Sequence, residues 1–222
     1  LGGLRRGEGK AVWAALRDIH QDPLYTFPWI LEQDRQVKKA EPIYFVKRTR
    51  GRGYDYPQYC LHGRDWRRLK HMLRHNNVYL GVHGSYYGSI PAIEYSKMYR
   101  AHYLRCSIEQ LQRLADAGYT DDFTMGFADQ AGFRLQTCRA VRWINPLTMQ
   151  LTNLTLHPLI VMDTTLSKYM HLTEDEAYFL CERLIAKVKL HHGDLCLLWH
   201  NNSFSGESYH RALYPKILAL IK

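Results

Sequence analysis

Thr173-Glu174-Asp175-Glu176-Ala177-Tyr178-Phe179-Leu180-Cys181-Glu182-Arg183-Leu184-Ile185-Ala186-Lys187-Val188-Lys189-Leu190-His191-His192-Gly193-Asp194-Leu195-Cys196-Leu197-Leu198-Trp199-His200 contains one helix and one strand. The Thr173 hydroxyl and the Glu176 carboxylate have the spacing of a capping box, which satisfies the first orphan N–H groups of a helix. Ala177, Leu180, Cys181, Leu184, Ile185 and Val188 then fall on one face at i, i+3, i+4, i+7, i+8 and i+11. His191-His192-Gly193 ends the helix. Leu195 to Trp199 is a continuous apolar run, the pattern of a strand buried on both faces of a parallel sheet.

The same alternation extends upstream. Leu156 to Met162 reads as the strand before that helix. Ser107 with Gln110 forms a second capping-box pattern, Ile108, Leu111, Leu114 and Ala115 make the helical stripe behind it, and Gly118 stops it from the C′ position. Arg64 to His75 reads as a helix followed by a strand at Asn77 to Val82. Pro42 to Val46 reads as a strand preceded by a helix near Pro28 to Val37. No repeat at a fixed period occurs, which excludes solenoids and propellers. Short apolar strands alternating with amphipathic helices give an α/β fold with a mostly parallel sheet or barrel. The 222 residues suit a single domain.

Hydrophobic residues at 46% and charged residues at 23% exclude disordered and fibrous classes. No apolar run approaches the ~20 residues of a membrane-spanning helix, so no membrane span is expected. Leu1 to Lys10 lacks the apolar core of a secretory signal, and a cytoplasmic location is the expectation. The chain begins without Met and reads as trimmed or partial. Lys and Arg number 30 against 21 Asp and Glu, a net charge of +9. The excess gathers in Lys47-Arg48-Thr49-Arg50-Gly51-Arg52 and in Arg64 to Arg74. Such a surface suits polyanions, yet a solvated basic face accounts for it, and without an RNA or DNA motif nucleic acid is not the expected partner. Five cysteines, an odd number with no C-x-x-C pair, point to reduced thiols rather than disulfides or structural zinc.

His83, Asp163 and His200 each follow an apolar strand. In parallel α/β sheets and barrels the carboxyl ends of the strands share one rim, where sites are built. Around His83 runs Gly81-Val82-His83-Gly84-Ser85-Tyr86-Tyr87-Gly88-Ser89. Its small residues permit close approach of a ligand, and Tyr86 and Tyr87 could stack on a sugar face; a plain Gly-rich turn is the simpler alternative. The absence of H-E-x-x-H, paired Cys, G-x-S-x-G, phosphate-loop and G-x-G-x-x-G motifs removes the common hydrolase, nucleotide and dinucleotide classes. Gly118 to Arg134 mixes acids, aromatics and glycines without periodicity, the character of a functional loop or of a loop pinned by Phe123, Phe127 and Phe133.

Several stretches recur together in one family: Gly-x-His-x-Ser-Tyr at 81–86, Arg-x-His-Tyr-Leu-Arg at 100–105, Asp-Phe-Thr-Met-Gly-Phe-Ala at 122–128, Gly-Phe-Arg-x-x-Thr-Cys at 132–138, Val-Met-Asp-Thr-Thr-Leu at 161–166 and Leu-Leu-Trp-His-Asn at 197–201. On these the sequence resembles a Bacteroides-type branch of the polysaccharide deacetylase-like (NodB-homology) proteins over nearly its whole length. The resemblance implies a distorted (β/α)7 barrel and a divalent metal, most often zinc, held by an Asp and two His. It also implies an Asp that activates the metal-bound water and a late His that protonates the leaving amine. Carried over, His83 resembles a metal-binding histidine, Arg100 the arginine that orients the catalytic Asp, Asp122 the acid that tunes the late histidine, and His200 the general acid. Tyr86, Arg134, Asp163 and Trp199 are placed as substrate-binding residues near the barrel mouth.

The chain also departs from the pattern. The family's Asp pair has no counterpart and would lie upstream of Leu1, the position four after His83 is Tyr87, Gly84 stands where relatives tend to carry Pro, and Gln136 where they carry Gly. The interval from His83 to Arg100 is short, as if a helix and part of a strand were missing, so the barrel is expected to be incomplete. The implied function is metal-assisted hydrolysis of N-acetyl or O-acyl groups on a bacterial surface glycan. The alternatives are a catalytically inactive carbohydrate-binding relative and, more remotely, a basic nucleic-acid-binding protein.

Overall fold

A computed structural model describes residues 13, 15, 17–47, 53–55, 62–206 and 208–221. Its helices are α1 (Phe27–Asp34), α2 (Arg64–His75), α3 (Ile108–Asp116), α4 (Glu174–Leu190) and α5 (His210–Ala219). Its strands are β1 (Ile43–Lys47), β2 (Tyr79–His83), β3 (Met98–Arg100), β4 (Asp121–Asp122), β5 (Val141–Ile144), β6 (Leu151–Leu156), β7 (Leu159–Met162) and β8 (Cys196–Leu198). The sequence reads as one domain; the chain divides into two compact units, Glu41–Leu198 and Leu1–Ala40 with Trp199–Lys222.

In the larger unit β1, β2, β3, β4 and β6 pair in parallel in that order, and β5 closes the edge antiparallel to β6. β7 and β8 pair in parallel in a second, two-stranded sheet. The fold is therefore mixed α/β with a mostly parallel central sheet, in which the first four strands lie side by side in chain order. Parallel neighbours need a crossover. α2 lies in the crossover from β1 to β2, and α3 in that from β3 to β4. Residues 84–97, between β2 and β3, contain no helix, consistent with the short interval read from the sequence.

The helices begin where the caps dictate. Ser107 Oγ accepts from the Gln110 N–H at 3.2 Å to start α3, and Gly118, at φ +85, occupies the left-handed position beyond its end. At α4 both halves of the capping box are present: Thr173 Oγ1 accepts from Glu176 N–H, and Glu176 Oε2 accepts from Thr173 N–H. The apolar face of α4 buries Ala177, Cys181, Leu184, Ile185 and Val188. Leu111 and Leu114 of α3 pack with Val82, Tyr99, Tyr119, Leu154 and Leu156 into the main core. A smaller cluster joins Leu104, Leu159, Met162 and Leu198.

The structure corrects one strand. Leu156 to Met162 is not continuous: β6 ends at Leu156 and β7 starts at Leu159. Pro158 has no N–H for a ladder, so the His157 N–H to the Asp122 carbonyl is the last rung of the β4–β6 pairing. β6 and β7 consequently belong to different sheets.

In the smaller unit α1 and α5 carry an aromatic cluster, with Trp29 5.0 Å from Phe204 and the Arg211 guanidinium over the Trp29 ring at 4.8 Å. Tyr214 Oη donates to Asp34 Oδ1 at 2.6 Å, and Thr26 Oγ1 donates to the Asn201 carbonyl at 2.8 Å. Trp199 stacks obliquely on Tyr214 at 5.3 Å.

Candidate functional site

Each of the first four strands of the central sheet ends on a charged or titratable residue: Lys47 on β1, His83 on β2, Arg100 on β3 and Asp122 on β4. The parallel register aligns Lys47 with His83 and His83 with Arg100, while Asp122 pairs with Tyr99, one residue back. Asp163 follows β7 directly. The strand-end placement read from the sequence for His83 and Asp163 therefore holds, and Arg100, Asp122 and Lys47 extend it. Trp199 and His200 lie in the other compact unit, with His200 leading into a short 3-10 turn at Asn201–Phe204.

Arg100 is held among apolar and anionic neighbours. Its guanidinium lies 3.9 Å above the Phe45 ring. Burial pushes its pKa down to about 10, opposed by Cys196, Asp163 and Asp122. Asp122 is fully buried and accepts from Thr124 Oγ1 at 2.6 Å and Thr124 N–H at 3.1 Å. Burial raises its carboxyl to about 6 despite those bonds and the nearby His157 and Arg100. Asp163 is also fully buried, and its Oδ1 accepts from the Thr164 N–H at 2.6 Å. Arg134 donates to the Gly126 carbonyl at 3.0 Å and the Leu104 carbonyl at 3.4 Å, pinning the segment read as a loop at Gly118 to Arg134. That segment contains the two-residue β4 as well.

His83 occupies a cationic setting. Burial, then the Arg100 charge, with His102 and Lys47 behind it, pushes its imidazole down to about 3, against a bond of 3.2 Å to the Gly84 carbonyl. It is therefore neutral at any physiological pH. Its ring meets that of His102 edge to face at 5.0 Å. His102 in turn donates from Nδ1 to Asp55 Oδ1 at 3.0 Å, which holds the orientation of the imidazole. Asp55, 3% exposed, also accepts from Ser85 Oγ and from the Tyr86 N–H at 2.8 Å. Burial alone would raise its pKa, but those bonds and the Lys47 charge bring it below the usual carboxylate range. Burial lowers Lys47, opposed by Asp55.

These donors do not fit a divalent cation at His83. Its neighbours Lys47 and Arg100 are cations, and the nearby carboxylate of Asp55 is already committed to Ser85, Tyr86 and His102. Among the described residues no three His, Cys, Asp or Glu side chains converge as a metal site. His71 and His75 on α2 stand at the i, i+4 spacing of an H-x-x-x-H pair, a motif the sequence reading counts as absent; their rings approach to 4.0 Å, and among the described residues no third metal-ligating side chain joins them. Cys60 and the basic residues at 48–52 lie outside the described residues.

Beside the Asp55–His102 pair lies a cluster of tyrosines. Tyr54 covers Tyr86 at 4.4 Å, Tyr103 meets both edge-on at 5.8 and 5.4 Å, and Arg105 lies over the Tyr86 ring at 4.3 Å. Tyr86, expected to stack on sugar, thus has its ring faces taken by Tyr54 and Arg105. The exposed rings are Tyr54, Tyr87 and Tyr103. Sequence reading missed Lys47, Asp55, Tyr54, His102 and Tyr103 as site residues. The last two lie inside the quoted motif at 100–105, where the signal was present; Asp55 lies in an irregular stretch that offers none.

No protein-family model, curated protein or solved structure matches this chain significantly. No helix among the described residues is long and apolar enough to cross a membrane.

Proposed function

We propose that this chain is a polysaccharide deacetylase-like protein of distorted, incomplete (β/α)7 barrel type whose strand-end rim binds an acylated sugar of a bacterial surface glycan. The observation that carries the reading is the exposed tyrosine cluster beside a rim of polar strand-end residues. Flat aromatic faces present the C–H side of a pyranose with an apolar, weakly electron-rich partner, while flanking polar groups meet its hydroxyls. The exposed Arg105 and the half-buried His102 are of the right types for the second task, while Lys47, Ser85 and Asp55 are buried.

Hydrolysis of an N-acetyl or O-acyl group is the second reading, favoured by the Asp55–His102 hydrogen bond. An imidazole held at Nδ1 by a carboxylate is fixed in orientation and made more basic, the arrangement of a general base that takes a proton from water. The family resemblance gives His200 the part of the acid that returns a proton to the leaving group.

Isothermal titration with chitotetraose, together with acetate release with and without added zinc, separates the two readings. Binding without acetate release supports a binding protein. Acetate release that falls about a hundredfold or more in His200→Ala supports the hydrolase, and turnover unchanged by that substitution removes His200 from the mechanism. No binding to any acetylated oligosaccharide overturns both. Zinc content by mass spectrometry of the purified chain tests the expected metal directly: near-stoichiometric zinc would require ligands beyond the described set.

A further inference from the structure

We propose that the platform formed by Tyr54, Tyr86, Tyr103 and Arg105 is a subsite for a hexuronic acid, so that the glycan recognised is an acidic one. The inference rests on the glycan-binding reading above and names the substrate class. Tyr86 is sandwiched, with Tyr54 at 4.4 Å and the Arg105 guanidinium at 4.3 Å from its ring. This leaves the outer face of Tyr54, 55% exposed, and the Tyr103 ring, 47% exposed, as the surfaces open to a pyranose.

Arg105 decides the chemistry. Its side chain is exposed, one face of the guanidinium is taken by Tyr86, and among the described residues it forms no ion pair. Stacking on an aromatic ring holds the guanidinium plane while leaving its N–H edge free, the geometry that accepts a carboxylate through two parallel bonds. A neutral N-acetylhexosamine has no use for a fixed charge there; the C6 carboxylate of a hexuronic acid does. The charge balance agrees, because Lys47 and Arg100 stand on the same strand-end rim and the chain carries +9. The backbone also holds this arrangement under strain. Tyr103 and Leu104 are consecutive non-glycine residues at φ +57 and +52, a left-handed turn that costs about 1 kcal/mol or more per residue. That turn sets Tyr103 and Arg105 on either side of buried Leu104. Since Tyr103 adjoins His102 at 4.6 Å, a sugar on the platform lies next to the Asp55–His102 pair.

The test uses a hyaluronan hexasaccharide and the same oligosaccharide with its carboxylates reduced to alcohols, titrated calorimetrically at low salt. Linkage and N-acetyl groups are identical, so any difference reports the carboxylate. The whole chain is expected to bind the acid form about fivefold more tightly, the scale of one solvent-exposed ion pair. Arg105→Gln is expected to abolish that preference, read as the ratio of the two affinities within the one variant, and Arg105→Lys to keep part of it. Tyr54→Ala should weaken both forms alike. Equal affinity of the native chain for the two forms overturns the acidic-sugar assignment and leaves glycan binding standing. A preference that survives in Arg105→Gln also overturns it. Failure to bind either form, or chitotetraose, overturns the glycan reading and this inference with it.

Discussion

Thr124 accepts the Ala101 N–H at 3.0 Å and donates the same hydroxyl to Asp122 at 2.6 Å, so a single Oγ1 ties the turn after β3 to the end of β4. Both partners are buried, Ala101 at 2% and Asp122 at 0% exposure, and neither can turn to water. Thr124→Val keeps the shape and removes both bonds, leaving an orphan N–H and a carboxylate with one partner fewer. The expected loss is about 2–3 kcal/mol in urea unfolding at neutral pH, and a loss under 0.5 would show that the network tolerates its absence. The same residue shows what could be read in advance. Asp122 and Thr124 lie in a quoted motif, where the carboxylate is legible as a site residue and the hydroxyl is not. A short polar chain that closes on itself leaves no periodicity. His83 was legible because an apolar strand points to its own end, and Arg100 only through the family resemblance. Asp55 and Lys47 reach the same rim by a route that no local pattern marks.

At the scale of elements the first four helices were legible, and α5 and the short strands were not. α3 and α4 carry caps, stripes and stops that agree with one another, and their bounds follow. β3 and β4 have three and two residues, too few for alternation to register, and exist because longer neighbours present them with ladder partners. The β5–β6 hairpin escaped for another reason. Its turn is built by Asn145, whose Oδ1 accepts from Leu147 N–H at 2.9 Å and Thr148 N–H at 3.3 Å, an Asx turn without the Asn-Gly signature of tight hairpins. A cap that can be read can also be weighed. Ser107 Oγ is the side-chain acceptor that starts α3, and α3 contributes Leu111 and Leu114 to the main core. Ser107→Ala is expected to lower stability by about 1 kcal/mol, with Ser107→Asp near neutral. Thermal melts of the three proteins side by side check it, and an alanine variant as stable as the native chain would show that the core alone holds the helix.

For the whole molecule, the clearest consequence of the fold is how stability responds to pH, because burial raises two carboxyls in different units. Asp34, 9% exposed, is pushed to about 6 by burial although Tyr214 Oη donates to it, and Asp122 is likewise raised to about 6. A carboxyl with an ordinary value of 3.8 in the unfolded chain holds its proton longer in the folded one. Between pH 4 and 6 these two carboxyls therefore bind more protons in the native state than in the unfolded one, and their contribution to the unfolding free energy falls as pH rises, opposed by His83, which stays neutral in the folded chain. The favourable contribution is complete below about pH 4 and is lost as pH passes through about 6, the reverse of the behaviour of carboxylates in salt bridges. Each shift of one unit corresponds to about 1.4 kcal/mol, so a residue raised by two units bears a cost of up to about 3 kcal/mol at pH 7, less where water relaxes around it. Asp34→Asn preserves an acceptor for Tyr214 and carries no charge. It is expected to stabilise the chain by about 1–2 kcal/mol at pH 7.5 and by nothing at pH 4, where the native Asp34 is already protonated. Denaturant melts of both proteins across that range decide the matter. A pH-independent difference would mean that the substitution acts through packing, and a destabilised variant at pH 7.5 would mean that the Tyr214 bond requires the ionised carboxylate.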